Sequence, residues 1–241
     1  MNFSYTIVSK VGLLRKSNED FVEVFKYPDG ILAIVCDGLG GRSAGEFASR
    51  KTVELINHAF GNSTQTDYVE RIRAAIDFAN QNIFHQSKTE FKYFGMSSTV
   101  EVVFINENFI YWGHIGDSRI YYFHLGKLKL LTKDHSLVQQ LVDEGNIAPN
   151  DIQNHPRKNV IIKAIGNSLK PNIDLSKMRI GNGSKCKILI CTDGVNAVVS
   201  DTEIENILAR NQFERAADKL INKVEAAGAP DNFSFIIFQS N

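Results

Sequence analysis

The 241-residue sequence predicts an α+β protein, a four-layer α-β-β-α sandwich in which two packed, mainly antiparallel sheets are flanked by helix pairs. Strand-like segments come first, two long helical segments follow, and then come more strands, two further helices and a closing strand. Short turns separate neighbouring strands, which favours antiparallel pairing. Two sheets packed face to face with helices outside would bury the apolar side of every element.

The N-terminal elements are predicted from composition and turn signals. Residues 5–11 and 21–27 are rich in β-branched and aromatic side chains, which favour strands. The turn signal Pro28-Asp29-Gly30 leads directly into the apolar run 31–36, so a hairpin is predicted there. Two segments with apolar side chains at the spacing of one helix face follow, residues 44–60 and 68–85.

The remaining elements follow from the same signals. Ser136 is a suitable N-cap for a helix that ends at Gly145, and the polar residues 146–171 show no regular period. The predicted strands are 99–105, 109–114, 119–124, 128–131, 173–180, 187–191 and 233–239, and the predicted helices are 136–144, 201–210 and 212–227.

The amino-acid composition excludes some classes of partner and indicates where the protein is located. Lys and Arg together number 27, as do Asp and Glu, so there is no basic surplus for nucleic acid or an anionic membrane. The N-terminus lacks the apolar run of a signal peptide, and the longest apolar run, 31–36, is far shorter than a bilayer span. Three cysteines are too few for a disulfide framework. We therefore predict one cytoplasmic domain, residues 1–241, with neither nucleic-acid nor membrane partners.

Acidic residues stand at the ends of the strand-like runs. Asp37, Asp117 and Asp193 follow such runs, Asp231 precedes the last strand, and Glu19-Asp20 comes shortly after Arg15. Each acid alone is typical of a turn, a cap or a solvated loop. Gathered at the sheet ends, however, several carboxylates would repel one another unless cations neutralised them. Oxygen-only ligand sets suit Mg²⁺ or Mn²⁺.

These segments resemble, in order, those of the PPM (type 2C) metal-dependent serine/threonine phosphatases, particularly the compact bacterial type. The resemblance covers about residues 5–238. The matching segments are Arg15 with Asn18-Glu19-Asp20, Asp37-Gly38-Leu39-Gly40-Gly41 with residues 45–49, residues 95–99, Gly116-Asp117-Ser118-Arg119, residues 131–136, residues 155–166, Thr192-Asp193-Gly194 and Asp231-Asn232.

The resemblance implies hydrolysis of phosphoserine and phosphothreonine in proteins by a water activated between two Mn²⁺ or Mg²⁺ ions. It implies that Asp37 bridges the ions, with the Gly38 carbonyl on one ion and Asp193 and Asp231 on the other. Asp117 matches the position that serves a third, weaker ion. Glu19 and Asp20 would work in the outer shell through water, and Arg15 would clamp the substrate phosphate through its bidentate fork.

The same resemblance implies phosphoprotein substrates, an opposing Ser/Thr protein kinase and a monomeric enzyme. Residues 137–160 match a flap beside the catalytic cleft, where substrate choice is tuned. Two positions depart from the family: Leu39 and Arg42 stand where relatives carry a histidine. The general acid is therefore unassigned, between a metal-bound water and a histidine such as His114, His135 or His155. Ser97-Ser98 replaces the usual Gly-Thr.

Two other functions compete with this interpretation. Residues 36–43 also fit the Cys-x5-Arg-Ser pattern of cysteine-dependent phosphatases, with Cys36 as the nucleophile in a loop whose backbone N–H groups would surround the phosphate. Asp37 beside that thiol would raise its pKa and repel the substrate. The second alternative is a catalytically dead member that binds phosphoproteins. Such members lose metal ligands, whereas every core acid is present here.

Overall fold

The computed structural model describes residues 3–40, 44–180 and 185–240. Single 3-10 turns occupy Phe91–Tyr93 and Pro149–Asn154. In chain order, the strands and α-helices of the described residues are β1 (Phe3–Lys10), β2 (Asp20–Tyr27), β3 (Gly30–Leu39), α1 (Ala44–Gly61), α2 (Tyr68–Thr89), β4 (Ser97–Ser98), β5 (Val100–Ile105), β6 (Phe109–Ile115), β7 (Arg119–His124), β8 (Lys127–Leu130), α3 (Leu137–Asp143), β9 (Asp174–Arg179), β10 (Cys186–Cys191), α4 (Asp193–Asn196), α5 (Asp201–Arg210), α6 (Phe213–Ala226) and β11 (Phe233–Ser240).

The strands form two sheets. The first sheet has the order β1-β11-β10-β7-β8, and the second has the order β2-β3-β5-β6-β9, with the short β4 paired to β3. All of these neighbours are antiparallel. Tight turns such as the one between β2 and β3 make this the expected pairing, so the predicted α+β class is confirmed.

Three apolar clusters hold the four layers together. The middle cluster lies between the sheets and includes Val35, Ile190 and Ile236. The second lies between the second sheet and α1 with α2, and the third between the first sheet and the helices α4 to α6. In β3, Leu32, Ile34 and Cys36 belong to the helix side and Ala33 and Val35 to the sheet side. A strand covered on both faces is apolar throughout, which explains the run at 31–36.

The structure departs from the predicted elements at Asp193. The Asp-Gly pair there resembles a turn signal, but Asp193–Asn196 instead forms the single helical turn α4. The amide of Ala197 donates to the carbonyl of Asp193 at 2.8 Å, which closes this turn. A Cβ at Gly194 would lie 1.9 Å from the carbonyl oxygen of Asn232. Glycine is therefore required here by close packing rather than by a reverse turn.

The antiparallel register brings the acid-bearing strand ends to one end of the sandwich. In the first sheet, Cys191 at the end of β10 pairs with Phe235 of β11 and with Arg119 at the start of β7. In the second sheet, Asp20 at the start of β2 lies opposite Asp37 near the end of β3. Among the helices that the structure describes, none is both long and apolar enough to cross a membrane.

Candidate metal centre

Five aspartates meet at this end of the sandwich, and we call them the carboxylate cluster: Asp20, Asp37, Asp117, Asp193 and Asp231. Asp20 and Asp117 are buried, with 5% and 7% of their surface exposed, and the other three are partly buried. Both sheets contribute to the cluster. The hydroxyl of Thr192, which follows β10, donates to the Asp20 carboxylate of the other sheet at 2.9 Å. The sequence-predicted acids that follow or precede strands are thus brought together.

The cluster is electrostatically frustrated. Burial and then repulsion by the other four carboxylates raise the pKa of Asp37 well above its ordinary value. Burial, followed by the charges of Asp193 and Asp134, does the same to the pKa of Asp117. Burial also raises the pKa of Asp20 to about 7 and that of Asp193 to about 6. Positive charge placed among these groups would remove the repulsion.

The donor set fits hard divalent cations. All five side chains are carboxylates, and Oδ1 of Asp117 is buried without a hydrogen-bond partner. Buried polar atoms are normally paired, so this oxygen is available to a ligand. The carboxylates do not form a complete set of ligands by themselves. Across residues 3–40, 44–180 and 185–240, no three acidic, imidazole or thiol side chains lie close enough together to hold a single ion. Mg²⁺ commonly takes only one or two carboxylates and keeps several waters.

A network of backbone bonds fixes Asp37 and Gly38 at the end of β3. The amide of Asp37 donates to the hydroxyl of Thr99 at 2.9 Å, and the amide of Thr99 donates to the carbonyl of Asp37 at 2.8 Å. The amide of Gly38 donates to the carbonyl of Glu19 at 3.1 Å. A Cβ on Gly38 would lie 2.1 Å from the carbonyl oxygen of Gly45 in α1, so no larger residue fits. The strand end and the start of α1 are therefore in direct backbone contact.

Arg15 lies at the rim of the cluster. Its Nη2 donates to Oδ2 of Asp231 at 2.7 Å, and about half of its side chain, 51%, is exposed. The hydrogen bond from Arg15 to Asp231 raises the pKa of the guanidinium, an effect that burial partly offsets. Glu19 belongs to the same loop, and its carboxylate lies next to Gly45 of α1. Burial raises the pKa of Glu19, and the charge of Arg15 opposes this rise.

Asn232 holds the loop that carries Arg15 and Glu19. Its Nδ2 donates to the carbonyls of Val11 and Ser17, at 2.7 and 2.8 Å, and its Oδ1 accepts from the amide of Glu19 at 2.9 Å. The sequence pattern includes Asn232 only as the neighbour of Asp231 and does not predict this role. No local spacing could have shown it, because its partners lie more than 200 residues away along the chain.

The three histidines considered as general acids differ in how many of their ring nitrogens are bonded. Both ring nitrogens of His114 are bonded, Nδ1 to Glu101 and Nε2 to the carbonyl of Lys133. Nδ1 of His135 accepts from the amide of Gly116, and Nδ1 of His155 accepts from the amide of Arg157. Leu39 is partly buried at the end of β3. Gly41 and Arg42 lie outside the described residues.

Cys36 is fully buried in β3. Burial, only partly offset by a hydrogen bond with Ser98, raises the pKa of its thiol well above the ordinary value. A cysteine nucleophile needs a lowered thiol pKa, so that the thiolate forms, and it needs exposure to the substrate. The geometry therefore argues against the cysteine-dependent alternative, although Arg42 and Ser43 of that pattern lie outside the described residues.

A cleft of about 490 Å³ opens beside the cluster. Asp117 and Asp193 line one side, and residues of the segment 149–159 line the other, among them Lys158. Arg119 borders the cleft but is held by Asp134, to which its Nε and Nη2 donate at 2.9 and 2.8 Å. Arg119 is therefore committed to a bidentate ion pair, whereas Arg15 is half exposed at the rim.

Comparisons with known proteins agree on one family. The family model described as Protein phosphatase 2C matches residues 15–233. The serine/threonine phosphatase stp of Listeria welshimeri is 33% identical over 236 residues, covering 95% of this chain and 93% of that protein. The serine/threonine protein phosphatase PstP of Mycobacterium tuberculosis is 33% identical over 234 residues, covering 97% of this chain. This chain spans only 44% of the length of that relative.

A solved structure gives the same result for the fold. The catalytic domain of serine/threonine protein phosphatase PstP in complex with 2 manganese ions matches with a TM-score of 0.83 at 31% identity, covering 99% of each chain. The four-layer architecture described above is therefore shared with a phosphatase structure that holds two manganese ions.

Asn232→Asp tests the anchoring of the Arg15 loop. The new carboxylate would face the carbonyls of Val11 and Ser17 in place of two N–H donors, so the loop should detach. Losing these bonds should lower the free energy of unfolding by about 1–3 kcal/mol. Urea denaturation measures this change. Asn206→Asp, on an exposed face of α5, is the control and should be nearly neutral. Equal stability of the two variants would contradict the anchoring role.

Asp37→Asn tests the repulsion within the cluster. In EDTA this variant should be more stable than the unchanged protein, because it removes a carboxyl group whose ionisation is opposed by burial and by the four other carboxylates. The gain should exceed the roughly 0.5 kcal/mol by which an ordinary surface substitution changes stability. Thermal or urea unfolding in EDTA measures it, with Asp218→Asn on the exposed surface of α6 as the control. A loss of stability in Asp37→Asn would show that the cluster is not frustrated.

Proposed function

Because the chain belongs to the protein phosphatase 2C family, we propose that it hydrolyses phosphoserine and phosphothreonine in proteins with the help of two Mn²⁺ or Mg²⁺ ions. The observation that carries this proposal is the frustrated carboxylate cluster beside an exposed arginine and an open cleft. The relatives named as serine/threonine phosphatases and the manganese-bound PstP structure support the activity and the metal.

We propose that members of the carboxylate cluster, with the carbonyl of Gly38, would hold the ions. Asp37 lies opposite Asp20 and is repelled by all four other members of the cluster, which suits a carboxylate that bridges two ions. The carbonyl of Gly38, with Asp193 and Asp231, would complete the two sites, and Asp117 would serve a third, weaker ion. When bound, the ions supply an activated water and the positive charge that phosphoryl transfer requires.

The remaining polar residues would orient the substrate and the solvent. Glu19 and Asp20 would act in the outer shell through ordered water, with Asp20 held by Thr192 and Glu19 placed beside α1. Arg15 would clamp the phosphate, because its half-exposed guanidinium can present a planar fork to two phosphate oxygens. Its bond to Asp231 keeps the guanidinium beside the cluster while the side chain remains accessible.

We further propose that residues 1–241 form one cytoplasmic, monomeric domain. Residues 137–160 would act as a flap that tunes substrate choice, since residues of this segment line the cleft opposite Asp117 and Asp193. The substrates would be phosphoproteins, and a Ser/Thr protein kinase would oppose the enzyme. The general acid stays unassigned between a water of the site and a histidine. The intact set of carboxylates favours an active enzyme over a phosphoprotein-binding member without activity.

Metal dependence is the first test of this proposal. Hydrolysis of a phosphothreonine peptide should require Mn²⁺ or Mg²⁺ and should stop in EDTA. Asp193→Asn should reduce kcat by about 100-fold or more, as expected when a residue that would hold a charge-stabilising ion loses its carboxylate. Cys36→Ser is the control and should keep its activity. Activity that persists in EDTA but disappears in Cys36→Ser would instead support the cysteine-dependent mechanism.

Arg15→Lys tests the phosphate clamp. Lysine keeps the charge but cannot form the bidentate fork, so kcat/KM for the phosphopeptide should fall by about 10- to 100-fold. Steady-state kinetics at saturating Mn²⁺ measures this change. Arg210→Lys, an exposed substitution at the end of α5, should leave kcat/KM unchanged. Undiminished kcat/KM in Arg15→Lys would remove Arg15 from the site.

A further inference from the structure

We propose that His135 is a positioning residue that sets the orientation of Asp117 and ties it to the end of the flap. This inference rests on the proposed role of Asp117 at a third ion, but it concerns a different residue and a different element. The contacts of His135 with Gly116, with His114 and with the segment after the flap carry it.

His135 forms hydrogen bonds with both backbone groups of Gly116, its N–H and its carbonyl. The amide of His135 donates to the carbonyl of Gly116 at 2.7 Å, and the amide of Gly116 donates to Nδ1 of the His135 ring at 3.2 Å. A single residue thus satisfies both backbone groups of the residue that precedes Asp117. Since Nδ1 accepts a hydrogen bond, the ring proton of the neutral imidazole lies on Nε2.

Gly116 in turn fixes the backbone from which the Asp117 side chain extends. It has a φ of +124°, and a Cβ there would lie 2.6 Å from the side chain of Thr99, so only glycine fits. Asp117 is buried, and its Oδ1 has no hydrogen-bond partner among the described residues. The carboxylate extends from the backbone that follows Gly116, so His135, which holds Gly116, sets the position from which Asp117 reaches a ligand.

The ring of His135 is itself held in place. It stacks on His114 with the ring centres 4.5 Å apart, and His114 is fixed by Glu101 and by the carbonyl of Lys133. Nε2 of His135 lies 3.4 Å from a carboxylate oxygen of Asp174. Nε2 makes no hydrogen bond among the described residues, so stacking on His114 and the bond from Gly116 to Nδ1 hold the ring, as a positioning residue requires.

His135 also contacts the chain where the flap ends. Its carbonyl accepts from the amide of Ile162 at 2.8 Å, and the next residue, Ser136, forms an antiparallel bridge with Ile161. The amide of Leu137 donates to the carbonyl of Val160 at 2.8 Å. The cleft residue Lys158 lies just before this paired segment. A substrate that displaces the flap would therefore act on the same residue that holds Gly116.

Direct Mn²⁺ binding separates positioning from a general structural role. We would titrate the full chain with Mn²⁺ by calorimetry, using His135→Leu, His135→Asn, Asp117→Asn and the double variant Asp117→Asn/His135→Leu. Asn can offer its Oδ1 in place of Nδ1, whereas Leu cannot accept a bond from Gly116. His85→Leu, on the exposed surface of α2, is the matched control.

We expect Asp117→Asn to lose the weakest Mn²⁺ site. His135→Leu should weaken Mn²⁺ binding at that site by about 10-fold or more, which is the usual effect of mutating a residue that orients a metal ligand. His135→Asn and His85→Leu should bind like the unchanged protein, and the double variant should match Asp117→Asn. If His135→Leu does not fold, His135→Gln replaces it, because its amide takes the position of Nε2 and cannot reach Gly116.

Each contrary result has its own meaning. If Asp117→Asn loses the weak site while His135→Leu and His135→Gln keep it, the inference is wrong and the proposed function stands. Equal weakening of all Mn²⁺ sites in His135→Leu, or failure of His135→Asn to restore binding, would show a merely structural role. If Asp117→Asn binds Mn²⁺ like the unchanged protein, the third-ion assignment of Asp117 fails, and the inference fails with it.

Discussion

Mutual repulsion among five aspartates is the constraint on which the rest of this structure depends. Water or cations would normally separate such groups, yet here two sheets hold them together at one end of the sandwich. The apolar cluster between the sheets and the clusters under the helices provide the free energy that makes this possible. The stability of the fold thus offsets an arrangement that is unfavourable until positive charge is present, as is common at functional sites.

The carboxylates are held mainly through the backbone that carries them. Thr99 fixes the peptide of Asp37, Asn232 fixes the loop of Glu19, and His135 fixes the peptide before Asp117. Each of these residues lies on an element other than the one that bears the acid. Such an arrangement leaves carboxylate oxygens available to ligands while the chain around them remains rigid. Some side chains also bond directly to a carboxylate of the cluster, as Thr192 does to Asp20 and Arg15 does to Asp231.

Most of the fold could be predicted from the sequence, because the pattern of apolar residues and turns is local. The strands around Asp37 and Asp193 were predicted correctly, and their apolar runs explain why each acid stands at a strand end. The helical turn at Asp193–Asn196 was not predicted, since an Asp-Gly pair also suits a reverse turn. The anchoring role of Asn232 could not be predicted either, because sheet pairing alone brings Val11 and Ser17 beside it.

The burial of the cysteines has a consequence for how such a protein would respond to oxidants. Cys36, Cys186 and Cys191 are all unpaired and buried, with no more than 1% of their surface exposed. Oxidation to a sulfenic acid requires a thiolate that peroxide can reach. Burial suppresses ionisation of these thiols as well as access to them. A phosphatase that relies on a cysteine nucleophile is silenced by hydrogen peroxide, whereas an activity carried by the carboxylate cluster would not depend on any of these three thiols.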